Sequence, residues 1–262
     1  MKTIYYYQTF VGLNKLMNHL QDIDVIIVSS LHFGKDKSGK KGIYLNDNIP
    51  YDPLFNELWL ETHKASAQGV TIMLMMGGAG LAYGELFSDF ETYYPLLKAL
   101  ITEKSWIKGI DLDIEESVTL DNVKMLMNRL VKDFGPNFII TMAPVSPSLM
   151  HDGSSMAGFS YKDLYLSEEG KYIQWFNTQC YYSFSYDTYK SIINNGYPPE
   201  KIVMGMESGQ YNEETFSKAI HEVNHIKQEY PDFGGVFDWE YLNAPPDKDD
   251  PSQWAKLMKN LK

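Results

Sequence analysis

Three acids, Asp111, Asp113 and Glu115, alternate with Ile110, Leu112 and Ile114 in the stretch KGIDLDIEE. On a strand this spacing puts the carboxyls on one face and the aliphatic side chains on the other. Carboxyls crowded on a buried face cannot all ionise, because desolvation and mutual repulsion raise at least one pKa. A carboxyl kept protonated in this way is a general acid at neutral pH. Glu115, outermost and longest, is the residue expected to hold that proton and to reach a substrate. The pattern alone also fits a surface strand with solvated acids, or a Mg²⁺ or Ca²⁺ site. The sequence offers no further ligand cluster, and its six histidines show no metal-binding spacing such as HExxH.

The elements that would position these acids alternate along the chain. Short β-rich runs lie at 3–8, 25–30, 70–76, 107–114, 138–144, 173–182, 201–207 and 234–240. Segments with helical spacing of apolar residues fall between them, as in LFNELWLETHKASAQG (54–69) and NVKMLMNRLVKDF (122–134), and PSQWAKLMKNLK closes the chain. Strands alternating with helices imply parallel βαβ units, and about eight of them in 262 residues predict an α/β fold, a (β/α)8 barrel occupying 1–262 as one catalytic domain. A doubly wound sheet is the rival, but no GxGxxG turn is present. In such a barrel the site lies at the C-terminal ends of the strands.

Composition narrows the chemistry. With 44% hydrophobic and 14% aromatic residues the chain can bury a large core. No stretch reaches the ~20 apolar residues of a membrane span. A net charge of −11 argues against nucleic acid or an anionic membrane as partner. Arg129 is the only arginine, so bidentate clamps on phosphate or carboxylate are nearly excluded and a neutral substrate fits better. One cysteine, Cys180, excludes an intrachain disulfide. The N-terminus MKTIYYYQTF lacks a signal-peptide h-region, which makes the cytoplasm the default expectation; a processed, secreted chain would read the same.

The stretch GIDLDIE resembles the signature of the family-18 glycoside hydrolases, D-G-x-D-x-D-x-E on the fourth barrel strand. Five further stretches resemble family features in the same order: YYY (5–7), LMMGGAG (74–80) beside the family S-x-G-G, TMAP (141–144), TQCYY (178–182) and GGVFDWE (234–240). The resemblance implies Glu115 as general acid and then base, Asp113 as the group orienting the substrate's N-acetyl arm, Asp111 as its electrostatic support, and Tyr181 as a hydrogen-bond donor to the acetamido carbonyl. It implies Trp239 as the floor under the distorted sugar, and Gln179, Tyr6, Gly78 and Met142 as further positions at the substrate site. The nucleophile would be the substrate's own acetamide oxygen, the exception to the two-carboxylate scheme. No metal or cofactor is then called for.

Two positions depart from the signature. Lys108 replaces the first Asp, early in the strand, where a structural effect is expected. Met75 replaces the Ser that in the family helps hold the acid at position 111, a loss that Tyr6 could offset. The MLMM run, to which Met75 belongs, and Cys180 are expected in the core, and His32 as a structural histidine. Residues 208–233 leave no room for the α+β insertion of many members, so a shallow, open cleft and an endo-acting, poorly processive monomer are expected, with Tyr182, Phe184 and Tyr186 as stacking surfaces for flanking sugars. The expected substrate is chitin or an N-acetylglucosamine oligosaccharide. The rivals are endo-β-N-acetylglucosaminidase action on N-glycans and a non-catalytic carbohydrate-binding protein on the same fold.

Overall fold

The computed structural model describes residues 1–153 and 155–261. Its strands are β1 (Lys2–Tyr7), β2 (Val25–Lys35), β3 (Lys41–Leu45), β4 (Thr71–Gly77), β5 (Ile107–Asp113), β6 (Ile139–Met142), β7 (Ile173–Gln179), β8 (Ile202–Glu207) and β9 (Gly235–Trp239). Its helices are α1 (Asn56–Ala67), α2 (Tyr83–Ser88), α3 (Phe90–Glu103), α4 (Leu120–Phe134), α5 (Pro147–Met150), α6 (Tyr161–Leu166), α7 (Tyr186–Asn194), α8 (Glu213–Glu229) and α9 (Ser252–Lys259). Eight strands are parallel to their neighbours in the order β1-β9-β8-β7-β6-β5-β4-β2, and β2 pairs with β1 to close the ring. This is a (β/α)8 barrel. Between β8 and β9 lies α8 and no insertion domain.

The strands read as nearly continuous apolar runs because both of their faces are buried. One face fills the barrel: Ile4, Tyr6, Val25, Ile27, Met73, Met75, Trp175, Val203 and Phe237 form an inner cluster. The other face packs on the helices. The MLMM run divides by parity, with Met73 and Met75 inside and Leu74 and Met76 outside. Cys180 is fully buried on the helix side, as its expectation as a small hydrophobe required, and burial pushes its thiol up to about 12.

Helix α4 illustrates the outer layer. Thr119 accepts the Asn122 N–H at its start, and Gly135 at φ +87° ends it. Val123, Leu126, Met127 and Leu130 recur at i, i+3, i+4 and i+7 and are buried, each contributing about 1.5–3 kcal/mol by leaving water.

One element was not anticipated. The second strand runs past Ser30 to Lys35 and folds back as β3, which pairs antiparallel with it from Leu31↔Leu45 to Lys35↔Lys41. The turn is set locally: the Asp36 carboxylate accepts the Ser38 and Lys40 N–H groups, and Gly39 sits at φ +83°. The hairpin stands above the C-terminal rim of the barrel beside the acidic strand's neighbours.

Candidate active site

Strand β5 turns its acids inward. Asp111 is fully buried, Asp113 is 5% exposed and Glu115, two residues past the last paired position, is half-buried. Ile110, Leu112 and Ile114 pack outward against the helices. Lys108 lies at the opposite end of the strand, exposed, donating to the Ser105 carbonyl at 2.7 Å, far below the acids.

Asp111 is held by three donors. Tyr6 Oη donates to Oδ2 at 2.7 Å, and Thr141 Oγ1 and Asn177 Nδ2 donate to Oδ1 at 2.6 and 3.0 Å. Asn177 is in turn fixed by Trp175 Nε1, 2.9 Å from its carbonyl oxygen, so its amide nitrogen must face the acid. Burial pushes the Asp111 carboxyl up, and the three donors pull against that shift. Thr141 and Asn177 were given no role from the sequence. The available signal was inward parity: Asn177 is two residues before Gln179 on β7, and Thr141 pairs in register with Asp111.

Asp113 is driven well toward the neutral form by its surroundings. Burial comes first, and the nearby charges of Glu115 and then Asp111 push it up further. The expectation placed the retained proton on the outermost acid; the large upward shift lies one position deeper. Gln179 Nε2 links the pair, 3.1 Å from Asp113 Oδ1 and 3.4 Å from Glu115 Oε1, and it also donates to the Ala143 carbonyl at 2.8 Å. The Ala143 oxygen can only accept, which sets the orientation of the Gln179 amide.

Above these acids opens a cleft of about 800 Å³. Its deep end is lined by Asp113, Glu115, Gln179, Tyr181, Trp239, Gly78 and Met75. The Trp239 ring rests on Tyr6, centroids 5.2 Å apart, and Tyr6 on Phe237 at 5.0 Å. Tyr181 packs edge-on against Phe237. Burial holds the Tyr181 phenol well above its ordinary value, so its hydroxyl remains a donor. Gly77 and Gly78 bring β4 close: their φ values are +101° and +78°, a Cβ at Gly77 would collide with the Asp113 carbonyl, and Gly78 N–H donates to that carbonyl at 2.9 Å.

Several expected site residues sit elsewhere. Tyr6 is 1% exposed and supports the floor from below without lining the cleft. Met142 does not reach it at all: Thr141 takes the inward place on β6, so Met142 points to the helices and joins the outer core. Tyr186 opens α7 and is stacked on His225 at 3.9 Å, which removes it as a free surface for sugar. Tyr182 is 90% exposed, but with Phe184 it borders a separate groove beside Tyr211. His32, expected as structural, lines the cleft while its Nδ1 pairs with the Leu81 carbonyl at 3.0 Å. With Tyr44, Asn46 and Asp47 it forms a wall on the β2–β3 side, so the cleft is shouldered on one flank by a hairpin that the sequence reading did not foresee.

A parallel barrel with a carboxylate strand opening into a Tyr- and Trp-lined cleft at its C-terminal rim holds the groups that a glycoside hydrolase uses, paired carboxyls beside an aromatic floor. No family model and no curated protein sequence matches the chain. Solved structures do. A fungal endo-β-N-acetylglucosaminidase of glycosyl hydrolase family 18 is 31% identical, with a TM-score of 0.86 over 100% of this chain and 98% of that one. A chitinase from Aspergillus fumigatus is also 31% identical, with a TM-score of 0.83 over 98% of each chain. A family-18 chitinase from Pseudoalteromonas aurantia is 21% identical and shares the fold, with a TM-score of 0.79 over 100% of both chains. The chain belongs to glycosyl hydrolase family 18.

Proposed function

We propose that the protein cleaves the β-1,4 bond between N-acetylglucosamine units of chitin oligosaccharides, within the chain and with retention of configuration. The proton that burial favours on Asp113 in the free protein passes to Glu115, which gives it to the glycosidic oxygen as the bond to C1 breaks, and Asp113 is left ionised. The acetamide carbonyl oxygen of the same sugar attacks C1 and closes an oxazolinium ring. Asp113 takes the acetamide N–H, Tyr181 Oη donates to the acetamido oxygen, and Trp239 lies beneath the distorted sugar. Water then attacks C1 while Glu115 accepts its proton, which restores the starting configuration. Asp111 acts through Asp113, holding the local charge in place from below.

The observation that carries this reading is the pairing of Asp113 and Glu115 through one Gln179 amide inside the Trp239 and Tyr181 cleft. Asp113 is 5% exposed and lies deeper on β5 than Glu115, a placement that favours a nucleophile supplied by the substrate.

A second reading is cleavage of the same bond in the core of an N-glycan. The fungal endo-β-N-acetylglucosaminidase with a TM-score of 0.86 favours it, as does the polar flank of His32, Asn46 and Asp47, which suits hydroxyl-rich branches. The test is a paired incubation with a chitin tetrasaccharide and a high-mannose glycoprotein. Release of shorter chitin oligomers supports the proposal, and glycan release alone supports the second reading. Binding of either ligand without turnover would make the protein a lectin on this fold.

A further inference from the structure

We propose that Glu116, the neighbour of the general acid, is a positioning residue that sets where Glu115 stands; the inference rests on the reading of Glu115 given above. The side chain of Glu115 has little to hold it: among the described residues its one hydrogen bond is the 3.4 Å contact from Gln179. Its place therefore depends on the course of the backbone beyond β5, and Glu116 fixes that course.

The Glu116 carboxylate accepts three consecutive backbone N–H groups. Ala82 and Tyr83 donate to Oε1, each at 2.6 Å, and Gly84 donates to Oε2 at 2.9 Å. These are charge-assisted bonds to groups at the start of α2 that have no partner within the helix. The clamp then closes on itself. Tyr83 Oη donates to the Met76 carbonyl at 2.8 Å, its ring fills the space where a Gly77 side chain would be, and Gly78 N–H returns to the Asp113 carbonyl. Glu116, α2, the Gly77–Gly78 turn and the end of β5 thus form a closed circuit of contacts that runs through the backbone of both acids. On the far side the same loop is pinned once more, by Val118 N–H on the Ala157 carbonyl at 2.9 Å. Glu115 lies between the Asp113 carbonyl, held by Gly78, and the Glu116 clamp. Adjacent carboxylates hence do different work: one faces the substrate and the other faces the scaffold.

Displacing a reacting group by about 1 Å can cost ~10²-fold in rate. Removing the clamp should therefore lower kcat and leave KM nearly unchanged, because Glu116 does not line the cleft. It should also move the limbs of the pH–rate profile, since the charge of Glu115 is one of the causes that shift Asp113 and their separation would change.

The experiment compares the wild type with Glu116→Ala and Glu116→Gln on a chitin oligosaccharide. We expect kcat to fall ~100-fold in the alanine variant at a KM within about twofold, with shifted pH limbs. The glutamine variant should lie between, since its amide oxygen can still accept from Ala82 and Tyr83 while its NH2 group meets the Gly84 N–H. Faster amide exchange at Ala82, Tyr83 and Gly84 should accompany the loss. A folded alanine variant with wild-type kcat overturns the proposal. So does a fall in kcat that merely follows lost melting temperature with unmoved pH limbs. If the alanine variant does not fold, the glutamine variant decides, and wild-type kcat and limbs there overturn the proposal. A wild type that turns over neither substrate is a separate result: it defeats the functional reading.

Discussion

The Tyr6 hydroxyl donates to Asp111 Oδ2 at 2.7 Å, a bond that the thioether of Met75 on the adjacent strand cannot supply. Met75 is aligned in register with Asp111 on β4 but offers only a thioether, whose contact is with Ser29 Oγ at 3.3 Å. The deep acid thus draws its donors from β1, β6 and β7.

Tyr6→Phe should leave Asp111 Oδ2 buried without a partner. The expected cost is about 1–3 kcal/mol of stability at neutral pH. The sign with pH is definite. Asp111 sits above its unfolded value of 3.8, so its contribution is fully present below that value and is lost as pH rises; losing a donor raises the carboxyl further and deepens that loss. The deficit of the variant should therefore grow from acid to neutral pH, which urea denaturation at several pH values will measure.

Asp113→Asn separates stability from function. The folded protein holds Asp113 well above 3.8, so the wild type loses stability as pH rises past that point, and an amide that does not titrate escapes the loss. The variant should match the wild type in acid and melt higher at neutral pH, by roughly 2–4 °C for each kcal/mol recovered. Its turnover should nevertheless fall ~10²-fold or more, because the charge available to the reacting acetamide is gone. A variant that melts lower at neutral pH would refute the assignment of Asp113 as the strained acid.

Glu115→Gln should reduce kcat by ~10²–10⁴-fold, the usual worth of general acid–base catalysis, with oligosaccharide binding retained in calorimetry. The amide preserves shape and can still accept the Gln179 bond. Near-normal turnover would remove Glu115 from the chemistry and with it the mechanism proposed for the whole site.

The barrel and its acids were legible because a period of two is hard to disguise. Asp111, Asp113 and Glu115 share a face by spacing alone, and the barrel pattern of the flanking runs, not the acids themselves, tells that this face is enclosed. The same rule failed on β6, where Ile139, Ile140, Thr141 and Met142 are apolar or small on both faces and nothing local tells which one looks inward; Met142 was assigned to the wrong side. Asn177 was hidden for a different reason, since its role depends on a partner 66 positions earlier in the chain. The hairpin of β2 and β3 left a local trace in the Asp36–Gly39 turn, yet its place beside the cleft comes from tertiary packing.

Met75→Ser tests whether the donor can be moved back to β4. Trimming a fully packed methionine should cost about 2–5 kcal/mol in the wild-type background. The informative measurement is a double-mutant cycle with Tyr6→Phe. If the new hydroxyl reaches Asp111, the double variant will be more stable than the sum of the single losses implies, by about 0.5–3 kcal/mol, and the gain will appear only where Asp111 is ionised. In acid the coupling should vanish, because a protonated Asp111 no longer needs a second donor. Additive losses at every pH would mean that residue 75 acts on the site through packing alone, and that Tyr6, Thr141 and Asn177 carry the electrostatic support of Asp111 between them.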